Sequence, residues 1–265
     1  MIQNLTAAER VAIARNNKRP NIDDYINAIF PHFFEMRGDR LCKEDSAILG
    51  GVAMFHGQSV TVIGTRKAKT LQENLKGNFG MPSPEGYRKA LRLMRQAEKF
   101  RRPIITFIDT SGAYPGMEAE QHGQGEAIAR NLYEMSRLTV PVIAVIIGEG
   151  NSGGALALGV ANRVLMMENA VYAILSPEGF ASILWKDSSR SAEACELMKM
   201  TAPDLKALGI IDEIIPEPAG GAHIAPEVAF LEVERSIARN LKALSSQKGA
   251  ALAAQRYQKF RKMGG

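Results

Sequence analysis

Two short runs, IITFI (104–108) and VIAVII (142–147), are rich in β-branched residues and show no polar alternation. A half-exposed strand would alternate, so these runs predict parallel strands covered by helices on both faces. Each ends in a glycine-rich segment, DTSGAYPG (109–116) after the first and GEGNSGG (148–154) after the second. The stretch 103–167 therefore reads as two consecutive strand, turn, helix units. Open α/β sheets bind ligands beyond the carboxyl ends of such strands, so chemistry is expected at the two turns.

The segment 118–138 reads as one helix. Its Ile128, Leu132, Met135 and Leu138 form an apolar stripe facing the sheet, with Ala129 beside it. Glu118 and Glu120 stand in the first turn and Arg137 in the last, each on the side the helix dipole favours. A second helix, about 153–161, is almost wholly apolar and is predicted to be buried. Its opening turn is then fixed from behind while its free N–H groups face the cleft.

The spelling GEGNSGG admits several chemistries. Gly148, Gly150 and Gly153 fit G-x-G-x-x-G, with Glu168 about 20 residues on, as in a dinucleotide site. Residues 150–154 fit G-x-S-x-G, with Ser152 as nucleophile. An oxyanion hole is a third reading, in which the Gly153 and Gly154 amides donate to an oxygen that gains charge. A fourth needs no ligand, only a tight turn with positive φ and close helix packing. A dinucleotide fingerprint follows the first strand of its domain, whereas here an earlier strand already carries a glycine loop. A hydrolase needs His32, His56, His122 or His223 within hydrogen-bond reach of Ser152. Two amide-rich loops on neighbouring strands, with no obvious acid, base, nucleophile or metal cluster, favour backbone donors acting on a developing enolate.

Six separated blocks carry a further signal: GNFGMPSPEGYRKALRLM (77–94), ITFIDTSGAYPG (105–116), GQGEAIARNLYEMSRL (123–138), IGEGNSGGALALGV (147–160), SPEGFASILWK (176–186) and IDEIIPEPAGGAH (211–223). In this order they closely resemble the carboxyltransferase α subunit of bacterial multi-subunit acetyl-CoA carboxylase, over nearly the whole chain. The chain departs from the family at Ser111, where proline is more usual, and ahead of Leu5, where many members carry a longer helical segment. The resemblance implies an α/β, crotonase-like fold, a spiral of β-β-α units forming a single domain over 1–265. N-terminal helices at about 1–35 and a C-terminal helix at about 226–262 would pack on it or on a partner.

The reaction so implied moves a carboxyl group from carboxybiotin, borne by biotin carboxyl carrier protein, to acetyl-CoA and yields malonyl-CoA for fatty acid synthesis. The departing ureido nitrogen of biotin would take the proton from acetyl-CoA, and two oxyanion holes would stabilise the thioester enolate and the biotin enolate. By the same resemblance Gly153 and Gly154, with Gly112 and Ala113 from the neighbouring turn, form the biotin-side hole. The implied partners are a carboxyltransferase β subunit, in an α2β2 assembly, and biotin carboxylase in the full ATP-dependent complex. The resemblance assigns a zinc ribbon to the β subunit, and no cofactor or metal is expected on this chain. Gly50-Gly51 and Gly220-Gly221 do not stand between a buried parallel strand and a helix, so the second hole is expected from another chain. Two other readings stand beside this one. One is a stand-alone acyl-CoA hydratase or isomerase using Glu149 or Glu126; the other is a module that only docks the biotin carrier.

Bulk properties are compatible with this: 265 residues at 46% hydrophobic content can bury a full core. Cys42 and Cys195 are too few and too far apart for a zinc cluster, and read as buried small hydrophobes in a reducing interior. No signal peptide opens the chain and no apolar run approaches about 20 residues, so a cytoplasmic location is expected. The net charge of +5 admits nucleic acid, a membrane surface or an anionic cofactor.

That charge gathers on one helix. Tyr87, Ala90, Leu91, Met94 and Ala97 form its apolar stripe, with Arg88, Lys89, Arg92, Arg95, Lys99, Arg101 and Arg102 on the other faces. This reads as a solvated face or as attraction for the phosphate of CoA or an acidic carrier, and it lacks the aromatics of an RNA platform. Arg66, Lys67 and Lys69 read as solvated or phosphate-pairing cations, and Arg256, Lys259, Arg261 and Lys262 as a frayed tail.

Helices are expected at 6–16 and 22–33, and a hairpin at 47–55 and 59–66 turning at His56-Gly57-Gln58. A mobile loop follows at 69–86. Beyond the central units come a strand at 171–175, a helix opened by Ser176, Pro177 and Glu178, and short helices at 193–200 and 203–208. A strand at 210–215 and a helix at 226–245 close the chain, and Trp185 reads as either core or partner contact.

Overall fold

The computed structural model describes residues 4–263; the outermost residues of the expected 1–265 domain, including the first of the N-terminal helical segment, lie outside the described residues. Helices α1 (Ala7–Ala14) and α2 (Ile22–Ile29) each open on a capping box, Thr6 with Glu9 and Asn21 with Asp24. Strands β1 (Phe34–Glu35), β2 (Ile48–Phe55) and β3 (Gln58–Thr65) pair antiparallel. The β2–β3 turn places His56 and Gly57 at φ 47° and 79°, the left-handed pair of a two-residue primed hairpin. Next come α3 (Leu71–Lys76), α4 (Pro84–Lys99), β4 (Ile104–Thr110), α5 (Met117–Gln121), α6 (Gln124–Arg137), β5 (Val142–Asn151), α7 (Ser152–Leu156) and β6 (Arg163–Met167). The chain closes with β7 (Val171–Ala173), α8 (Pro177–Trp185), α9 (Ser191–Met198), α10 (Ala202–Ala207), β8 (Glu213–Ile215), α11 (Pro226–Ser245) and α12 (Gly249–Arg261).

One sheet holds the strands in the order β1-β2-β3-β4-β5-β6-β8, with β7 pairing β5 off this path. All pairs from β3 onward are parallel. β4 and β5 are buried along their whole length, which accounts for their unbroken apolar runs. β5 changes neighbour part-way: residues 143–146 pair with β6 and residues 149–151 with β7. The β4–β5 register also slips after Ile108, so that Thr110 lies opposite Gly150. Slip and divergence together set the turn after β4 against the turn after β5.

Several local expectations are revised. The helix expected over 118–138 is two, because Gly123 at φ 82° turns the chain between α5 and α6. The buried face of α6 is Gln124, Ala127, Asn131 and Met135; Ile128 and Leu132 are half-buried and Ala129 is exposed. The helix expected to run to residue 161 stops at Leu156, where the Leu158 and Gly159 amides bond three residues back and tighten the chain into turns. The loop expected over 69–86 contains α3, whose first turn Thr70 caps by accepting from the Glu73 amide.

The expected single C-terminal helix is broken between α11 and α12, and α12 folds back onto α6. Its residues are not a frayed tail. Leu252 joins the main core, Lys259 pairs with Asp212, and the fully buried Arg256 donates to the Leu138 carbonyl, capping the end of α6. Burial lowers the Arg256 guanidinium to about 10.

The basic helix α4 buries its expected stripe, and part of its charge is spent inside the fold while Arg95, Lys99 and Arg101 stay exposed. Lys89 is buried and donates to Glu44 and to the Asp45 and Ile48 carbonyls. Arg88 holds Asp39, Glu85 and the His122 carbonyl, and Arg95 pairs with Glu134. Cys195 is buried as expected, whereas Cys42 is exposed. Trp185 is half-buried, with the Arg190 guanidinium 4.0 Å above its ring, so the core reading fails. No helix among the described residues is long and apolar enough to cross a membrane.

Candidate active site at the paired turns

The two turns touch. A Cβ placed on Gly154 would meet the Ala113 amide nitrogen, and would lie 2.6 Å from the Gly112 carbonyl carbon and 2.8 Å from the Tyr87 hydroxyl. Only glycine fits there, and the reason is close approach rather than backbone conformation. Gly112, by contrast, adopts φ 143° with open space around it. Thr110 shapes this first turn: its hydroxyl accepts from the Gly112 amide at 3.1 Å and donates to the Gly112 carbonyl at 2.8 Å. The expectation that Gly112 offers a free donor is thereby revised, because its N–H is committed within the turn. Gly153 and Gly154 lie in the first turn of α7, whose N-cap, the buried Asn151, makes no side-chain cap hydrogen bond. Such first-turn amides have no partner within their own helix.

Behind the turns lies a lattice of ion pairs. Lys67 Nζ sits 3.0 Å from Asp109 and 2.8 Å from Glu149, and Arg15 Nε reaches the other Glu149 oxygen at 2.8 Å. The Glu149 amide donates to Asp109 at 2.9 Å, and Arg15 extends the lattice to Glu178. Burial raises the Glu149 carboxyl, but the charges and hydrogen bonds of Lys67 and Arg15 outweigh it and hold the group below its ordinary value. Burial lowers Lys67, and Asp109 and Glu149 more than offset this, so it stays charged. Lys67, partly exposed, is thus held by two carboxylates rather than standing free. Arg66 and Lys69 are likewise taken, by Asp23 and Asp24.

The other readings of GEGNSGG lose their support at this level. Gly148 is required because a side chain there would strike the Asp109 carboxylate. Glu168, the ribose-binding acid of the dinucleotide reading, is buried and accepts from the Glu217 amide. Ser152 takes φ 60°, as a nucleophile elbow does, and its residue is exposed. The histidines are elsewhere: His56 lies against Glu234, His122 against Glu85 and His223 against Asn16, while His32 is exposed in a turn of its own. Glu126 is exposed and pairs with Arg130.

One grouping of metal-ligand type exists among the described residues, Cys42, Glu85 and His122, whose donor atoms lie within 4.8 Å of one another. Its carboxylate already takes Arg88 at 3.1 Å and His122 at 2.6 Å, so a dication there would sit against a guanidinium.

On its outer side the second turn opens to an apolar cleft of about 450 Å³, lined by Ser152, Gly153, Leu156, Tyr172, Phe180 and Leu208 among others, with Lys199 the cation at its wall. The structure brings Gly153 and Gly154 beside Gly112 and Ala113, as the sequence expected of neighbouring turns. Sequence reasoning missed Thr110, the pairing of Lys67 with Asp109 and Glu149, and the Tyr87 hydroxyl, which an apolar stripe conceals.

Comparison with known proteins decides the family. The chain matches, over residues 1–264, the family described as acetyl co-enzyme A carboxylase carboxyltransferase-like. It belongs to that family. Within these carboxyltransferases, the acetyl-coenzyme A carboxylase carboxyl transferase subunit alpha of Geobacillus kaustophilus is 59% identical over 261 residues, 98% of this chain and 80% of that one. The subunit of the same name from Clostridium acetobutylicum is 58% identical over 262 residues, covering 99% and 96%.

Among solved structures, transcarboxylase 12S with methylmalonyl-coenzyme A bound superposes with a TM-score of 0.72 at 20% identity. The match covers 92% of this carboxyltransferase chain and 45% of that one, so the chain spans a little under half of the transcarboxylase. A Pseudomonas malonate decarboxylase hetero-tetramer in complex with coenzyme A gives 0.66 at 16% identity, covering 82% and 89%. The fold is therefore the expected α/β, crotonase-like one.

Proposed function

We propose that this chain is the α half of the carboxyltransferase of acetyl-CoA carboxylase, moving the carboxyl group of carboxybiotin to acetyl-CoA, and that its paired turns receive the negative charge that develops on the biotin side. The contact of Gly154 with the Gly112–Ala113 peptide carries this reading, since it brings amides from two strands to one place. Gly153, Gly154 and Ala113 supply the donors, and Gly112, held by Thr110, shapes the turn. Backbone donors fixed before the reaction need no reorganisation as charge appears, and the apolar wall beside them keeps water from weakening them.

Proton transfer from acetyl-CoA falls to the departing ureido nitrogen of the substrate. Glu149 is locked between two cations and Glu126 faces solvent, so neither is placed to act as a base. A β subunit supplies the second hole and carries the zinc ribbon, the pair assembling as α2β2 in the cytoplasm. Biotin carboxyl carrier protein presents the biotin, which biotin carboxylase loads.

The test uses the chain assembled with a β subunit and assayed in reverse with malonyl-CoA and biocytin. Gly154→Ala drives a Cβ into the Ala113 amide and is expected to lower kcat by roughly 10²–10³-fold, the worth of an oxyanion-hole donor. Full activity in that variant would remove the turns from the reaction.

A further inference from the structure

Tyr87 projects from α4 with its ring wholly buried against Ala127 and Ala157, and Ala113 and Ile128 pack beside it. Its hydroxyl is buried and has no hydrogen-bond partner among the described residues. Burial raises its pKa, so the group is a neutral O–H at any working pH. The hydroxyl ends at the turn junction, 2.8 Å from where a Gly154 Cβ would stand.

An unpaired buried hydroxyl destabilises a fold, and phenylalanine would keep the same ring without that cost. The position therefore carries a dipole that packing does not need, beside the amides that face developing charge. A dipole unspent in the ground state, in a medium of low dielectric, can turn toward an anion without first breaking another bond.

We propose that Tyr87 is a positioning residue for carboxyl transfer, its O–H held behind the Gly154–Ala113 junction and oriented toward the negative charge that the turns receive. The inference rests on the oxyanion-hole reading of those turns. Tyr87 does not touch the substrate, and no proton leaves it; it acts through the backbone in front of it.

The experiment compares parent, Tyr87→Phe and Gly154→Ala, each assembled with a β subunit and assayed with malonyl-CoA and biocytin, with thermal melting alongside. Tyr87→Phe is expected to melt at or above the parent, keep KM for both substrates, and lose roughly three- to tenfold in kcat, less than the roughly 10²–10³-fold of a direct oxyanion-hole donor because the dipole acts from behind the backbone. Full kcat in Tyr87→Phe beside a crippled Gly154→Ala overturns the inference and leaves the hole intact. Full kcat in Gly154→Ala removes the hole, and the inference with it. A Tyr87→Phe enzyme melting well below the parent shows that the hydroxyl serves the fold, which also overturns the proposal.

Discussion

Ser152 separates backbone chemistry from side-chain chemistry. It holds a left-handed φ of 60° at the head of α7, a conformation costing a non-glycine residue about 1 kcal/mol, and no histidine stands against it. Ser152→Ala is therefore expected to keep kcat within about tenfold in the malonyl-CoA and biocytin assay, since trimming a side chain leaves amide donors in place. A loss beyond a thousandfold in a folded protein would instead mark a nucleophile. At this scale glycine spelling marked the turns but not the cause of each glycine. Gly154 is glycine because another backbone passes it, Gly148 because the Asp109 carboxylate fills the space, and Gly112 because of its φ. The motif looks the same in all three cases, so the commitment of the Gly112 amide to Thr110 was not visible in it.

Elements meet at Glu149, through which β5 is tied to α1, to the segment after β3 and, by way of Arg15, to α8. Glu149→Gln leaves Lys67 and Arg15 each with one carboxylate and is expected to cost about 2–3 kcal/mol at neutral pH, by urea unfolding. The carboxyl is held below its ordinary value of 4.5 in the folded chain, so its contribution is complete above that pH and is lost as pH falls through the folded value. Parent and variant should accordingly converge in acid, and a gap that persists there would mean that packing, not charge, is responsible. The buried strands and the stripe of α4 were legible because burial on both faces, or on one, writes a direct pattern in the residues. The helical character of α12 was legible, but its break from α11 and the burial of its basic residues were not. Its basic residues look like a solvated tail until Asp212 and the Leu138 carbonyl, distant in sequence, are brought beside them.

At the scale of the whole molecule, large apolar side chains stand exposed around the cleft. Ile174 is 78% exposed, Leu208 63% and Ile183 68%, all on the cleft wall or on the neighbouring α8. The isolated chain is expected to self-associate and to be inactive, and mixing with a β subunit should yield one hetero-oligomer in which activity first appears. Size-exclusion chromatography with the reverse assay on each fraction checks this, and a monodisperse, fully active preparation of this chain alone would contradict it. The expectation of a partner rested on a missing second pair of turns, whereas the apolar surface beside the cleft was not legible, because exposed and buried leucines are spelled alike. Lys67 has one more effect at this scale. A single ammonium anchors Asp109 and Glu149, the roots of both turns, so the spacing of the turns does not depend on the lengths of the loops that leave them. Residues added between Tyr114 and α6 would change the loop and leave the two turns in place, which frees the loops to diversify around a constant pair of turns.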